Sequence, residues 1–264
     1  MIRLIACDLD GTVLDSAKKP DSALKDVMRR LKEKGIRFTF VTGRNEELLR
    51  QFVDGFELED PYITNNGGNI YCKHECLYND FIPQEYSNVL ARLLAQHDIA
   101  FRLFAIERFY AFKDSAFFAS RLGSLRKTSL IGYDPSLDLT DLHVYKITCD
   151  FHGKEEIIDA LCEEVNRKCP NLNFLKAEKS VYCANSLTAS KGNALKKVCE
   201  IMGVSADEVM AFGDSENDLS MLMEAGISVA MANAEEEMKE KCDFVCGDND
   251  HNGVSAFLRK YFNL

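Results

Sequence analysis

The stretch Ile2-Arg3-Leu4-Ile5-Ala6-Cys7-Asp8-Leu9-Asp10-Gly11-Thr12 decides how the rest of the chain is read. Ile2 to Cys7 is a short, nearly continuous apolar run, the pattern of a strand buried on both faces of a parallel sheet. Two aspartates stand where that run ends, and ligands of open α/β sheets bind outside the carboxyl ends of the strands. With a side-chain period of two, Asp8 and Asp10 point to one side if the extended geometry persists. Carboxylates that close repel each other unless one is protonated or a cation lies between them. A hard cation such as Mg²⁺ does this and leaves room for substrate oxygens. Asp-Gly is also a common turn, so a pair of turn or capping aspartates is the plain alternative.

Outward from this strand the pattern alternates. A helix is expected from about Ser22 to Lys34, with Leu24, Val27, Met28 and Leu31 on one stripe and Gly35 as its stop. Ile36 to Val41 reads as a strand, Glu46 to Phe56 as a helix, and Tyr62-Ile63-Thr64 as a strand. Asn66-Gly67-Gly68 then turns the chain into a hairpin ending near Tyr78. After Pro83 the rhythm changes. Helices at Gln84 to His97, around Ser115 to Leu122 and at Lys154 to Cys169 fall between strands at Ile99 to Ile106, Phe109 to Lys113, His143 to Phe151, Leu172 to Ala177 and Val181 to Ala184. That order suggests an open α+β sheet with one covered face. The first rhythm returns at Lys191, with a helix to Met202 and a strand at Glu208 to Gly213. Further helices at Glu216 to Glu224, around Glu235 to Lys241 and after Gly253 alternate with strands at Ile227 to Met231 and Phe244-Val245. The expected architecture is a doubly wound, mostly parallel α/β core of residues 1–82 and 186–264, with an α+β cap of residues 83–185 inserted.

Composition narrows the partners. The chain has 264 residues and a formal charge of −10, which repels nucleic acid and anionic lipid. An anion site on such a surface needs local cations or a metal. No run is long enough to span a membrane, and ten cysteines without an apolar leader lead us to expect reduced thiols and a cytoplasmic location. Cys72-Lys73-His74-Glu75-Cys76 has some of the look of a zinc site. It lacks a second ligand cluster, so we read its cysteines as small packing residues.

Three further places follow predicted strands or open helices. Thr42-Gly43-Arg44 puts a hydroxyl and backbone N–H groups at a helix start, where anions bind, although an ordinary strand-to-helix turn gives the same residues. Lys191-Gly192 opens a helix and supplies a local cation, where a lysine is otherwise solvated and opposed by the dipole. In Gly213-Asp214-Ser215-Glu216-Asn217-Asp218, Asp214 stands at a strand tip and Asp218 one helical turn on, although Asp214 or Ser215 could simply cap the next helix. Four strand-end sites holding two carboxylates, a hydroxyl, a cation and further carboxylates favour chemistry over turns.

These four motifs resemble those of the haloacid dehalogenase-like phosphohydrolases, and Asn65-Asn66-Gly67-Gly68 and Asn252-Gly253-Val254 are similar to stretches of its Cof-like sugar-phosphatase subfamily. The resemblance covers the whole core, and the insert has the size and element order of that subfamily's large cap. It implies a phosphatase in which Asp8 is the nucleophile on phosphorus and Asp10 protonates the leaving alcohol, then activates water. Mg²⁺ would be held by Asp8, the Asp10 backbone carbonyl and Asp214, with Asp218 just behind them. Thr42, together with the Gly43 turn, and Lys191 would bind phosphoryl oxygens, Asn217 would support metal or phosphate, and Arg44 and Asn66 would face the leaving group.

The expected substrate is a small phosphorylated metabolite, foremost a sugar phosphate, with no obligate protein partner. A phosphomutase or phosphotransferase using the same aspartyl phosphate is one rival, and a non-catalytic receiver-like module a second. In the insert, Arg102, Arg108, Lys113, Arg121 and Lys146 could touch a polar substrate, and a solvated surface is the plainer reading of each. His143 and His152 read as packed or exposed imidazoles.

Overall fold

The structure is a computed structural model that describes residues 1–106, 108–121, 130–177 and 180–264. Leu122, the expected end of one helix, and the side chain of Arg121 lie outside the described residues. In chain order, β1 (Leu4–Cys7) leads through α1 (Leu24–Glu33), β2 (Arg37–Phe40) and α2 (Glu46–Phe56) to β3 (Tyr62–Thr64), β4 (Asn69–Cys72) and β5 (Glu75–Asn79). Then come α3 (Gln84–Gln96), β6 (Ala100–Ala105), β7 (Phe109–Phe112), α4 (Ala116–Arg121), β8 (Leu130–Gly132), β9 (Val144–Asp150), α5 (Ile158–Lys168), β10 (Leu172–Lys176) and β11 (Val181–Ser186). The chain closes with α6 (Lys191–Met202), β12 (Val209–Gly213), α7 (Leu219–Glu224), β13 (Ile227–Ala230), α8 (Glu236–Lys239), β14 (Phe244–Val245) and α9 (Gly253–Phe262). It divides into two compact units, Met1–Tyr78 with Ser190–Leu264, and Asn79–Ala189.

The first unit is built on a parallel sheet of order β14-β13-β12-β1-β2. Its central strands are apolar throughout because both faces are covered. Ile5 and Cys7 of β1 join Met210 and Phe212 of β12 in one core cluster, while Leu4 and Ala6 join Val209 and Ala211 in another. Burying each large aliphatic side chain here contributes about 1.5–3 kcal/mol. The predicted stripe Leu24, Val27, Met28 and Leu31 is the buried face of α1. From β1 the chain first builds outward to β2, then returns to build the other way from β12. The tips of β1 and β12 therefore flank a topological switch point, where such sheets bind ligands. Beside the sheet, β3, β4 and β5 form a small antiparallel ribbon. The turn between β4 and β5 is Lys73-His74, both left-handed, and no glycine or asparagine advertised it. His74 Nδ1 and Nε2 lie 2.8 Å from carboxylate oxygens of Glu46 and Asp54, respectively. Both ring nitrogens thus have carboxylate partners, while Cys72 is half-buried and Cys76 exposed, so the packing reading does not hold for Cys76.

In the second unit the strand order is β10-β11-β9-β6-β7-β8. All these pairs are antiparallel except β7 with β8. β8 lies where the sequence offered no strand, and its residues are half-exposed or exposed. One face carries Phe101, Leu103, Val144, Ile147 and Cys149 against Leu90 and Leu94 of α3 and Leu161 and Val165 of α5. Arg102 corrects the solvated-surface reading. It is buried, donates through Nη2 to Asp114 Oδ1 at 2.7 Å, and stacks 4.2 Å from the Phe118 ring. No helix among the described residues is long and apolar enough to cross a membrane, and all ten cysteines are free thiols.

Candidate active site

Asp8 is the first residue beyond β1. Its N–H bonds the Phe212 carbonyl at 3.0 Å, extending the β1–β12 ladder by one step, and its buried carboxylate accepts from Lys191 Nζ at 2.6 Å. Lys191 begins α6, whose N-cap Ser190 accepts from Asn193 N–H, and is 1% exposed. It reaches this depth because α6 packs hard against α7: a Cβ on Gly192 would lie 2.4 Å from the Ser220 carbonyl oxygen. The same ammonium also donates to Asp218 Oδ1. Asp218 Oδ2 accepts from Asp214 N–H and Ser215 N–H. Both Asp218 oxygens are therefore occupied by protein donors, which suits a group behind the ligands better than a ligand.

Asp214 is fixed from the other side. Thr12 Oγ1 donates to its Oδ1 at 2.9 Å. Gly11 has φ +87°, and a Cβ there would lie 2.3 Å from Asp214 Oδ2, so any side chain at this position would displace the carboxylate. One oxygen from each of Asp8, Asp214 and Asp218 falls within 4.8 Å of the others.

Electrostatics follow from three carboxylates and one ammonium in a dry place. Burial pushes the Asp8 carboxyl well above the usual carboxylate range, Asp218 pushes it further, and Lys191 draws it partly back. Burial and Asp218 push Asp214 up to about 6, against the Thr12 hydrogen bond. Burial alone would lower Lys191, but Asp218 and Asp8 overcome it and hold the ammonium charged. Negative charge thus exceeds what Lys191 offsets, and the donors are hard oxygens. A divalent cation of the Mg²⁺ kind fits such a set, with Asp8 and Asp214 as the carboxylates able to hold it.

The expected phosphoryl-binding loops adjoin one another. Thr42 N–H bonds the Ile63 carbonyl at 3.0 Å, Asn66 N–H bonds the Thr42 carbonyl at 3.0 Å, and Asn65 N–H bonds the Arg44 carbonyl at 2.8 Å. Thr42 Oγ1 accepts from Arg44 N–H at 3.1 Å. A Cβ on Gly43 would lie 2.9 Å from Asn66 Oδ1, so that turn admits little else. Left-handed Asn66 accepts from Asn217 Nδ2 at 3.1 Å, and Asn217 Oδ1 accepts from Ser215 Oγ at 2.7 Å. One hydrogen-bond chain therefore links the Thr42, Asn66 and Asp214 motifs.

Two residues expected at the phosphoryl group or its leaving group bond aspartates in this structure. Arg44, expected to face the leaving group, instead forks onto Asp10: Nε donates to Oδ2 at 2.6 Å and Nη2 to Oδ1 at 2.7 Å. Lys191, expected on phosphoryl oxygens, spends its ammonium on Asp8 and Asp218. Partial burial would raise Asp10, but hydrogen bonds from Arg44 and from Lys18 (2.9 Å) bring it down to about 2. Lys18 had no signal in the sequence beyond a polar turn. Thr12 lay within a quoted motif without being given its role, whereas Ser215 caps the next turn, as one reading of its motif had it. Asn233 Nδ2, which donates to the Gly11 carbonyl at 2.9 Å, was also missed because it lies in a loop far along the chain.

Residues 5–258 match the model of a family described as haloacid dehalogenase-like hydrolase. A 5-amino-6-(5-phospho-D-ribitylamino)uracil phosphatase of Bacillus subtilis is 27% identical, covering 97% of each chain. A pyridoxal phosphate phosphatase of Escherichia coli is also 27% identical, over 97% of each. Among solved structures, a haloacid dehalogenase-like hydrolase from Bacteroides thetaiotaomicron superposes with TM-score 0.84 at 26% identity, covering 99% of this chain and 100% of that one. A subclass IIB sugar phosphatase superposes with TM-score 0.83 at 22% identity, covering 99% of both, and shares the fold. The chain belongs to the haloacid dehalogenase-like hydrolases.

Proposed function

We propose that this chain is a cytoplasmic, Mg²⁺-dependent phosphatase that hydrolyses small phosphorylated metabolites, sugar phosphates among them, through a phosphoryl group carried on Asp8. The observation that carries this reading is the buried Asp8 carboxylate at the switch point, paired with buried Lys191 and flanked by Asp214. Lys191 holds Asp8 in place beside the phosphoryl site and adds positive charge where negative charge develops. Mg²⁺, held by Asp8, Asp214 and the Asp10 carbonyl, would supply further charge neutralisation for the transferred group.

The chemistry divides into two displacements. An Asp8 oxygen forms a bond to phosphorus as the P–O bond to the alcohol breaks, and Asp10 gives its proton to the departing oxygen. A water oxygen then attacks the same phosphorus, Asp10 takes the water proton, and the Asp8–phosphorus bond breaks to restore the carboxylate. The bound phosphoryl dianion opposes the charges of Arg44 and Lys18, which lets a proton reside on Asp10 for the first step. Thr42 Oγ1, which accepts from Arg44 N–H and keeps its own proton to donate, is suited to a phosphoryl oxygen. All these residues belong to the Met1–Tyr78 and Ser190–Leu264 unit. The chemistry is assigned there, and the choice of leaving group to the insert, residues 83–185.

The substrates in the names of the two relatives, a phosphoribityl-aminouracil and pyridoxal phosphate, support small polar monoesters as the class. The test is phosphate release from a panel of such monoesters by metal-stripped protein before and after Mg²⁺ is restored. Release only with the metal is expected. Full activity without metal, or phosphate passed to a sugar acceptor with none released, would overturn the reading.

A further inference from the structure

The Asp10 carboxylate is gripped far more closely than a free acid–base group needs. Oδ2 accepts from Arg44 Nε, and Oδ1 accepts from both Arg44 Nη2 and Lys18 Nζ. Three N–H donors from two cations thus define the plane and direction of one carboxylate. A bidentate guanidinium is the geometry that fixes orientation as well as charge.

Each cation is itself held. The Arg44 guanidinium lies 5.2 Å from the Phe52 ring centroid, and its backbone is bonded on both sides, N–H to Thr42 Oγ1 and carbonyl from Asn65 N–H. Lys18 sits at the tip of a tight turn in which its N–H bonds the Asp15 carbonyl at 2.9 Å and Asp15 N–H bonds the Lys19 carbonyl at 2.9 Å. At that tip Lys18 has φ +61°, a left-handed backbone that a residue with a side chain adopts at a cost of about 1 kcal/mol. The turn is anchored from the end of the chain. Asp250 accepts from Ser16 N–H and Oγ at 2.7 and 2.8 Å, and Asn249 Nδ2 donates to the Leu14 carbonyl at 2.9 Å. A strained, anchored turn that ends with an ammonium on Asp10 is more construction than an exposed ion pair warrants, since such pairs contribute at most about 1 kcal/mol to stability.

We propose that Arg44 and Lys18 are positioning residues for Asp10, aiming its carboxyl at the leaving oxygen, and that neither grips the leaving group. This rests on the acid–base role proposed for Asp10. In the first displacement the proton moves from Asp10 to the ester oxygen as the P–O bond breaks, so aim matters in proportion to how badly that oxygen needs the proton. An alkoxide needs it and a nitrophenolate leaves without it. The signature of lost aim is therefore a fall in the ratio of kcat/KM for an alkyl phosphate to kcat/KM for p-nitrophenyl phosphate. Because kcat/KM reports steps only through the first phosphoryl transfer, later hydrolysis of the phosphoenzyme does not blur it.

The experiment measures that ratio with n-propyl phosphate and with glycerol phosphate for the wild type, Lys18→Met, Arg44→Lys, Arg44→Met and Asp10→Asn. It repeats the measurement for Lys18→Met and Arg44→Met combined with Asp10→Asn. The ratio should fall about tenfold in Arg44→Met and about threefold in Lys18→Met, equally for both alkyl esters, with Arg44→Lys between wild type and Arg44→Met. Neither change should lower the ratio further once Asp10 is Asn. A loss that grows with the glycerol hydroxyls, or that persists in the Asp10→Asn background, overturns the proposal in favour of direct substrate contact. If Asp10→Asn shows the selective loss and neither cation variant does, the positioning role alone is overturned. If Asp10→Asn leaves the ratio unchanged, the acid–base assignment fails and takes this proposal with it.

Discussion

The two units treat polar residues differently. In the parallel sheet of the first, β1 and β12 send alternate side chains into two apolar clusters, so a polar group has few places to stand except beyond the strand tips. Asp8, Thr42 and Asp214 stand at such tips, and each proves to be part of one connected site. In the mostly antiparallel sheet of the second unit one face is apolar, and the other mixes the buried cross-strand neighbours Arg102 and Thr148 with buried Phe104. A polar side chain there is ordinary, and its sequence does not separate a solvated group from a structural one. A sheet apolar on both faces makes polarity informative, and one with a mixed face does not.

The largest effect that would sharpen this contrast is at the tip of β1. Asp8→Asn should lower turnover by about 10⁴-fold or more, the scale of losing a covalent nucleophile. It should not lower the melting temperature, because burial and Asp218 already oppose the Asp8 charge and the amide relieves that opposition. A variant that melts early and keeps activity would mean that Asp8 serves packing.

Next in size is Lys191→Met, which leaves Asp8 and Asp218 without their shared counter-charge. Breaking a buried ion pair from one side costs about 3–5 kcal/mol. With the lysine gone, the Asp8 carboxyl, already raised by burial and by Asp218, loses the group that draws it partly back and stands further above its unfolded pKa. Its ionisation then destabilises the fold, so the loss is greatest at high pH and shrinks as it takes up a proton. The urea midpoint of this variant should rise from about pH 8 to about pH 5.5 relative to wild type. A midpoint gap that does not vary with pH would contradict the charge account.

Smaller again is the pH dependence of metal binding. Without metal, Asp214 is pushed up to about 6, so below that pH the ion must displace a proton. Mg²⁺ affinity should fall roughly tenfold per pH unit below about 6, with proton release in calorimetry that depends on buffer ionisation enthalpy. Affinity that is flat from pH 7 to pH 5 would remove Asp214 from the ligands. Least of all, Arg102→Met in the second unit should cost about 1–2 kcal/mol of stability through the lost bond to Asp114 and stacking on Phe118, and leave activity on p-nitrophenyl phosphate within about twofold. A large loss of catalysis there would break the distinction between the units.

Much of the first unit was legible because its elements carry their own punctuation. α2 and α6 start and stop where the sequence predicts, with Asn45 accepting from Leu48 N–H at one start and left-handed Gly203 at the other's end. The switch-point carboxylates were legible because an aspartate that ends an apolar run is conspicuous. What escaped was set by distant partners. Nothing near Lys18 hints that Asp250 and Asn249, more than two hundred residues on, anchor its turn over Asp10. The leaving-group role of Arg44 came from the family resemblance; spacing gives no direction to a long side chain, and the fork onto Asp10 exists only in three dimensions. β8 pairs in parallel with β7 through half-exposed or exposed residues, so no hydrophobic period marks it.

The central claim is that the phosphoryl group rests on Asp8. The direct measurement is to quench the protein during turnover of p-nitrophenyl phosphate with Mg²⁺, reduce it with borohydride and map the peptides by mass spectrometry. An aspartyl phosphate is reduced to homoserine, so the account predicts homoserine at position 8 in turning-over wild type and none in Asp8→Asn or in protein without substrate. Rapid turnover with position 8 always recovered as aspartate, and the modification at another residue, would contradict it.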